Sequence, residues 1–262
     1  MPKFAANLSL LFTERPFLDR FAAARAAGFD AVEIQFPYAH ETAEIAAQLA
    51  GEGLELVLHN LPAGDWSRGE RGLAVLPERE IEFQDGVRRA VDVAGALGCP
   101  RLNCLAGIAP AGVDPARQRA LFVENLTYAA AELRRAGLDL LIEPINARDM
   151  PGFYLTRSEQ ALGLIAEVGA DNLYLQYDAY HMQVGEGDLA RTIERNLDRI
   201  GHIQIADNPG RHEPGTGEIA YPFLFGHLDR IGYSGWVGAE YLPSARTEDG
   251  LGWLADARRA PA

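Results

Sequence analysis

Short apolar runs alternate along this chain with longer stretches in which apolar residues recur every three or four positions, the two periods of buried strands and of helices with one buried face. The runs predict strands over 3–11, 30–36 (DAVEIQF), 54–60 (LELVLHN), 101–107 (RLNCLAG), 138–145, 173–180 (LYLQYDAY), 201–207 (GHIQIAD) and 236–242 (WVGAEYL). Helical periodicity fills the intervals at 16–27, 41–51, 78–97, 115–136, 156–168, 187–199 and 220–231, with a last short stretch at 248–258. AARAAGF, ALGCP, RRAGLD and RIGYSG each put a glycine just past the last periodic turn, where helices stop. TRSE at 156–159 reads as a capping box of Thr156 with Glu159.

A strand followed by a helix, repeated eight times, predicts an α/β fold of the (β/α)8 TIM-barrel type over the whole of 1–262 as one domain. A doubly wound open sheet would bring a glycine-rich dinucleotide turn after an early strand, and the chain has no such pattern. The longest irregular stretches, 61–77, 107–114 and 208–219, all follow strands, where a barrel keeps its working loops.

Composition narrows the function. A formal charge of −13 and the lack of a Lys/Arg stripe argue against nucleic acid as partner. No apolar stretch is long enough to cross a bilayer, and the N-terminus reads as a first strand and not as a targeting segment. Only two cysteines occur, Cys99 and Cys104, which suits a reducing, cytoplasmic setting. Cys104 reads as a small buried residue, and His40, His202, His212 and His227 as structural. Outer apolar helix faces such as FAAARAAGF leave a homo-oligomer open.

Against this background, LDLLIEPIN is unusual: an apolar run that ends in a carboxylate, Glu143. Burying one such charge alone is costly. Three later strands end in the same way, with Asp178, Gln204 and Glu240, at separations of 35, 26 and 36 residues, each about one βα unit. Strand C-termini converge at one mouth of a barrel, so these four groups are expected to meet. Crowded carboxylates repel, a divalent cation relieves them, and an all-oxygen set suits Mg2+ or Mn2+. Arg211, in the loop NPGRHEPG, would bring a planar fork for a substrate carboxylate, and His59 at the end of the third strand is a further substrate-contact candidate. Arg148 and Asp149 are weaker candidates that can pair with each other, while Trp66 and Tyr38 sit on mouth loops that could exclude water.

EPIN (143–146), DAYH (178–181), HIQIADNPGRHEPGTGEI (202–219) and GAEY (238–241), with LSLLF and LHNLPAGDW earlier, closely resemble the xylose-isomerase-like barrel superfamily, above all its hydroxypyruvate isomerase branch. The resemblance spans essentially the whole chain. It implies interconversion of hydroxypyruvate and tartronate semialdehyde, a small 2-keto/hydroxy acid pair, through an enediolate. In that pattern Glu143 and Glu240 are the acid/base pair and also metal ligands, Asp178 and Gln204 mainly hold the metal, and His181 contacts a substrate oxygen. Related ketose epimerases commonly carry histidine where this chain has Gln204. An isomerase of a four-carbon 2-oxo acid and a ketose 3-epimerase remain alternatives on the same site. Zinc-dependent DNA-repair endonucleases of the superfamily need further histidines and a basic surface, and a non-catalytic sugar-acid binder would not need both glutamates.

Overall fold

The computed structural model describes residues 2–259. Its strands are β1 (Lys3–Asn7), β2 (Ala31–Ile34), β3 (Glu55–Asn60), β4 (Arg101–Cys104), β5 (Asp139–Ile142), β6 (Leu173–Asp178), β7 (Ile200–Ile205) and β8 (Trp236–Ala239). All pair in parallel in chain order, and β1 closes on β8 through Lys3↔Trp236 to Ala6↔Ala239, giving a closed barrel. The helices around it are α1 (Arg20–Ala26), α2 (Thr42–Glu52), α3 (Glu80–Leu97), α4 (Pro115–Arg135), α5 (Ser158–Val168), α6 (Ala179–Gly185), α7 (Leu189–Arg195), α8 (Tyr221–Arg230) and α9 (Gly252–Arg259). The TIM-barrel expectation holds.

Local chemistry sets the element ends. Asp114 caps α4 by accepting from the Ala116 and Arg117 amides at 3.0 Å, and Pro115 takes the first helical position, where no amide hydrogen is needed. Gly98 and Gly169 end α3 and α5 at φ 66° and 67°, a conformation that costs other residues a clash at Cβ. The capping box at Thr156 does not form. The helix begins at Ser158, and it is the Gln160 side chain that accepts from the Thr156 amide, at 3.1 Å. The helix expected over 187–199 is shorter, and α6 precedes it, beginning straight after β6 because the Asp178 carboxylate caps it.

Most of the core lies between strands and helices. A smaller cluster of Ala5, Ala31, Val57, Leu58 and Leu141 lies apart from it; alternate residues face the axis except in β3, where the adjacent Val57 and Leu58 both join the cluster at a register irregularity against β2. One strand step further along, the same inward alternation delivers Asn7, Glu33, Asn103 and Glu143, so the barrel's polar site stands on an apolar plug.

Candidate active site

Glu143, Asp178, His181 and Glu240 each present a ligand atom within 4.8 Å of the others, and all four are buried. Glu143 and Glu240 follow the last residues of β5 and β8, and Asp178 ends β6. Asp178 splits its carboxylate. Oδ1 accepts from the Tyr180 and His181 amides at 2.7 and 3.3 Å, while Oδ2 is buried with no hydrogen-bond partner. An orphaned carboxylate oxygen among two more acids is what a cation would satisfy, so the cluster can hold a metal.

His181 has its tautomer fixed by its neighbours. Asn146 Oδ1 accepts from the Asp149 amide at 2.9 Å, which turns its Nδ2 toward His181 Nδ1 at 2.7 Å. Nδ1 therefore accepts, and the ring proton sits on Nε2, which lies 3.7 Å from Asp178 Oδ2 and 3.9 Å from Glu143 Oε1. Burial, reinforced by the positive charge of Arg211, holds His181 well below the usual histidine range and keeps it neutral. His181 thus points a hydrogen-bond donor into the site. A cation held here would take its ligands from oxygens.

Amides hold the two glutamates. Glu143 Oε2 accepts from Asn103 Nδ2 at 2.9 Å and Gln176 Nε2 at 3.0 Å, which leaves Oε1 open toward His181. Glu240 Oε1 accepts from Asn7 at 3.1 Å and Gln35 at 2.9 Å, and its Oε2 from Arg211 at 2.9 Å. Burial first, then repulsion from Glu240 and Asp178, raises Glu143 well above the carboxylate range. Burial likewise lifts Glu240 to about 7, against the lowering pull of Arg211, and raises Asp178. Burial alone would lower Arg211, but Glu240, Asp178 and Glu143 outweigh it and keep it charged.

Arg211 reaches the site because its loop is pinned. The Asp207 carboxylate accepts from the amides of Asn208, Gly215, Gly217 and Ile219, and Leu242 donates to the Arg211 carbonyl at 2.8 Å. Arg211 itself takes φ 55°, a strained value for a side-chain-bearing residue, and lies over the Tyr180 ring at 5.5 Å. Arg148 bonds Asn208 at 2.9 Å, and Asp149 accepts from Tyr180 at 2.6 Å, so these two join loops at the mouth rim. Trp66 stays partly exposed, stacked under Arg71 at 4.0 Å.

Five of the residues expected from sequence lie together in this way: Glu143, Asp178, His181, Arg211 and Glu240. Gln204 is the register neighbour of Asp178, with its Oε1 accepting from Gln176 at 2.6 Å and its Nε2 donating to Glu33 at 2.8 Å. His59 is not brought to the cluster by any hydrogen bond. Its register partners are the apolar Ile34 and Leu102, and its ring nitrogen faces Tyr38 and the Asn60 carbonyl. Burial lowers it to about 4. Cys104 is buried, and burial pushes its thiol up to about 12. Sequence reasoning missed Asn7, Glu33, Gln35, Asn103, Asn146 and Gln176. Glu33 in DAVEIQF and Asn103 in RLNCLAG carry the signal that marked Glu143, a polar residue within or ending an apolar run.

Comparison with known proteins gives one consistent picture. The family model described as "Xylose isomerase-like TIM barrel" matches residues 21–257. A hydroxypyruvate isomerase of Escherichia coli is 54% identical over 254 residues, covering 97% of this chain and 98% of the relative. A 2-oxo-tetronate isomerase of Cupriavidus necator is 52% identical over 254 residues with the same two coverages. Among solved structures, one titled AP endonuclease, family 2, from Brucella melitensis superposes with a TM-score of 0.95 at 46% identity, covering 98% of this chain and 99% of that one.

Proposed function

We propose that this chain, which belongs to the xylose isomerase-like TIM barrel family and is an isomerase, interconverts hydroxypyruvate and tartronate semialdehyde. The reading rests above all on the convergence of Glu143, Asp178, His181 and Glu240 within 4.8 Å in a buried mouth, beside a charged arginine. Isomerisation moves one proton from carbon 3 to carbon 2 while a hydroxyl proton passes from one oxygen to the next. No electrons leave the substrate. Two groups are needed that differ in proton affinity, and a site that tolerates charge on the enediolate oxygens.

Glu143 and Glu240 supply the first requirement. In the metal-free protein, burial, reinforced by repulsion from Glu240 and Asp178, keeps the proton on Glu143, while Glu240, near 7, is ionised in a substantial fraction at neutral pH and is the base. The open Oε1 of Glu143 is then the oxygen that gives and retakes a proton, because Asn103 and Gln176 occupy Oε2. His181 donates from Nε2 to a substrate oxygen, and Arg211 faces the substrate carboxylate. Glu143, Asp178 and Glu240, with Gln204 beside them, would hold Mg2+ or Mn2+, which when bound polarises the substrate oxygens.

The four-carbon 2-oxo-tetronate is the second reading, supported by the 52% identical relative of that name. The net charge of −13 disfavours a DNA-cleaving role like that named for the Brucella protein. Incubating the protein with each acid in deuterated water, with and without Mn2+, tests the proposal by NMR. Deuterium at carbon 2 of the product from hydroxypyruvate is the expected result. Turnover of the four-carbon acid alone would move the assignment to the second reading, and turnover of neither would overturn it.

A further inference from the structure

Glu33 is a buried acid that the chemistry above leaves unused. It ends the inward face of β2 at 1% exposure, and its side chain reaches past β1 to the far strands. Small residues make room for it. Ala31, Ala5 and Gly238 lie in one row across β2, β1 and β8, and a Cβ at Gly238 would overlap Glu33 Oε1. Three donors meet the carboxylate: Asn7 Nδ2 at 3.2 Å, Gln204 Nε2 at 2.8 Å and His202 Nε2 in a short contact. The other nitrogen of His202 is buried without a partner, so its polar bonding is committed to Glu33.

We propose that Glu33 is a positioning residue that fixes the amide sense of Gln204 and thereby turns the Gln204 oxygen toward the metal-binding cluster. The inference rests on the reading that the cluster binds a divalent cation. With Nε2 held at Glu33, Gln204 Oε1 falls on the opposite side, where Gln176 Nε2 donates to it and also to Glu143. An amide turned the other way would point hydrogens at Gln176, donor against donor, and offer nothing to a cation. Glu33 also shares the Asn7 amide with Glu240, so it is linked to the acids on both sides.

The test is Mn2+ binding to the metal-free protein, read as free Mn2+ by electron paramagnetic resonance, for the wild type, Glu33→Met, Gln204→Glu and the double variant. Glu33→Met keeps the length of the side chain and removes both acceptor oxygens, so Gln204 Nε2 loses its anchor and the amide sense is no longer held from that side. Glu33→Gln would not serve, because its oxygen could still accept from Asn7 and Gln204 while its NH2 turned to His202. The Mn2+ affinity of Glu33→Met is expected to fall roughly 10–100-fold with the fold retained by circular dichroism. A glutamate at 204 has oxygens at both ends, so Glu33→Met should cost nothing when Gln204→Glu is already present. Unchanged affinity in Glu33→Met, or the same loss in both backgrounds, overturns the inference and leaves the metal reading standing. A wild-type protein that takes up no Mn2+ overturns both. Should Glu33→Met not fold, Gly238→Ala displaces the same carboxylate sterically. A folded Gly238→Ala with weakened Mn2+ binding supports the inference, and one with wild-type binding overturns it.

Discussion

Strands β5 to β8 bring Glu143, Asp178, Gln204 and Glu240 to the barrel mouth, whereas β1 to β4 bring chiefly amides, Asn7 and Asn103, joined by Gln35 just past β2 and by the single acid Glu33. The first set carries the charge. The second occupies Glu240 Oε1 through Asn7 and Gln35 and, together with Gln176 of β6, Glu143 Oε2 through Asn103, which leaves Glu143 Oε1 open. A buried carboxylate with free rotation would be a poor acid or base, since catalysis needs a fixed proton position as well as a suitable affinity. The acid half therefore depends on the amide half, and the division can be probed from both sides.

The largest effect is expected in the acid half. Glu143→Gln and Glu240→Gln keep shape and remove proton transfer, so kcat should fall by about 10²–10⁴ in each, measured by NMR of the isomerisation, with unchanged circular dichroism. Near-normal rates in both would break the acid/base assignment. A smaller effect is expected from the amide half. Asn103→Leu strips one donor from Glu143 Oε2 and should lower kcat/KM roughly 10–100-fold. Because that bond lowers the proton affinity of Glu143, its loss should also move the alkaline limb of the pH–rate profile upward. A rate loss with an unmoved limb would mean that Asn103 only packs.

The mildest effect is on stability. Glu143, Asp178 and Glu240 bind protons more tightly folded than unfolded, so their burial favours folding below the ordinary carboxylate range. That contribution is lost as pH rises through their folded values, about 7 for Glu240. Metal-free protein should melt lower at pH 8 than at pH 6, and Mn2+ should raise the melting temperature more at pH 8, where fewer protons compete. A pH-independent metal effect would mean that these acids do not titrate with binding.

The acids Glu143, Asp178 and Glu240 were legible because each ends an apolar run where charge is costly, and Gln204 because it stands near the end of its strand in register with Asp178. The barrel was legible from the alternation of two periods. The supporting amides Asn7, Gln35, Asn103 and Gln176 were missed: Asn103 interrupts an apolar run as Glu143 does, but without charge, and its value lies in the direction of its hydrogen bonds. His59 shows a different barrier. Counting alternate positions along β3 assigns it a side, but the register with β2 slips between Val32 and Glu33, so that Glu33 faces Leu58 and His59 pairs with Ile34. Helix α6 escaped because AYHMQV continues the apolar character of β6. Only the capping of its first amides by Asp178 marks the change from strand to helix.

The Gly238 slot has a consequence for how such barrels can be rebuilt. Glu33 and the glycine that makes room for it lie near opposite ends of the chain, yet are separated in space by a single strand. Chimeras that take the first quarter from one parent and the last from another should succeed only when both junctions preserve a small residue opposite a long acid, so the termini of this barrel are expected to be inherited as a matched pair.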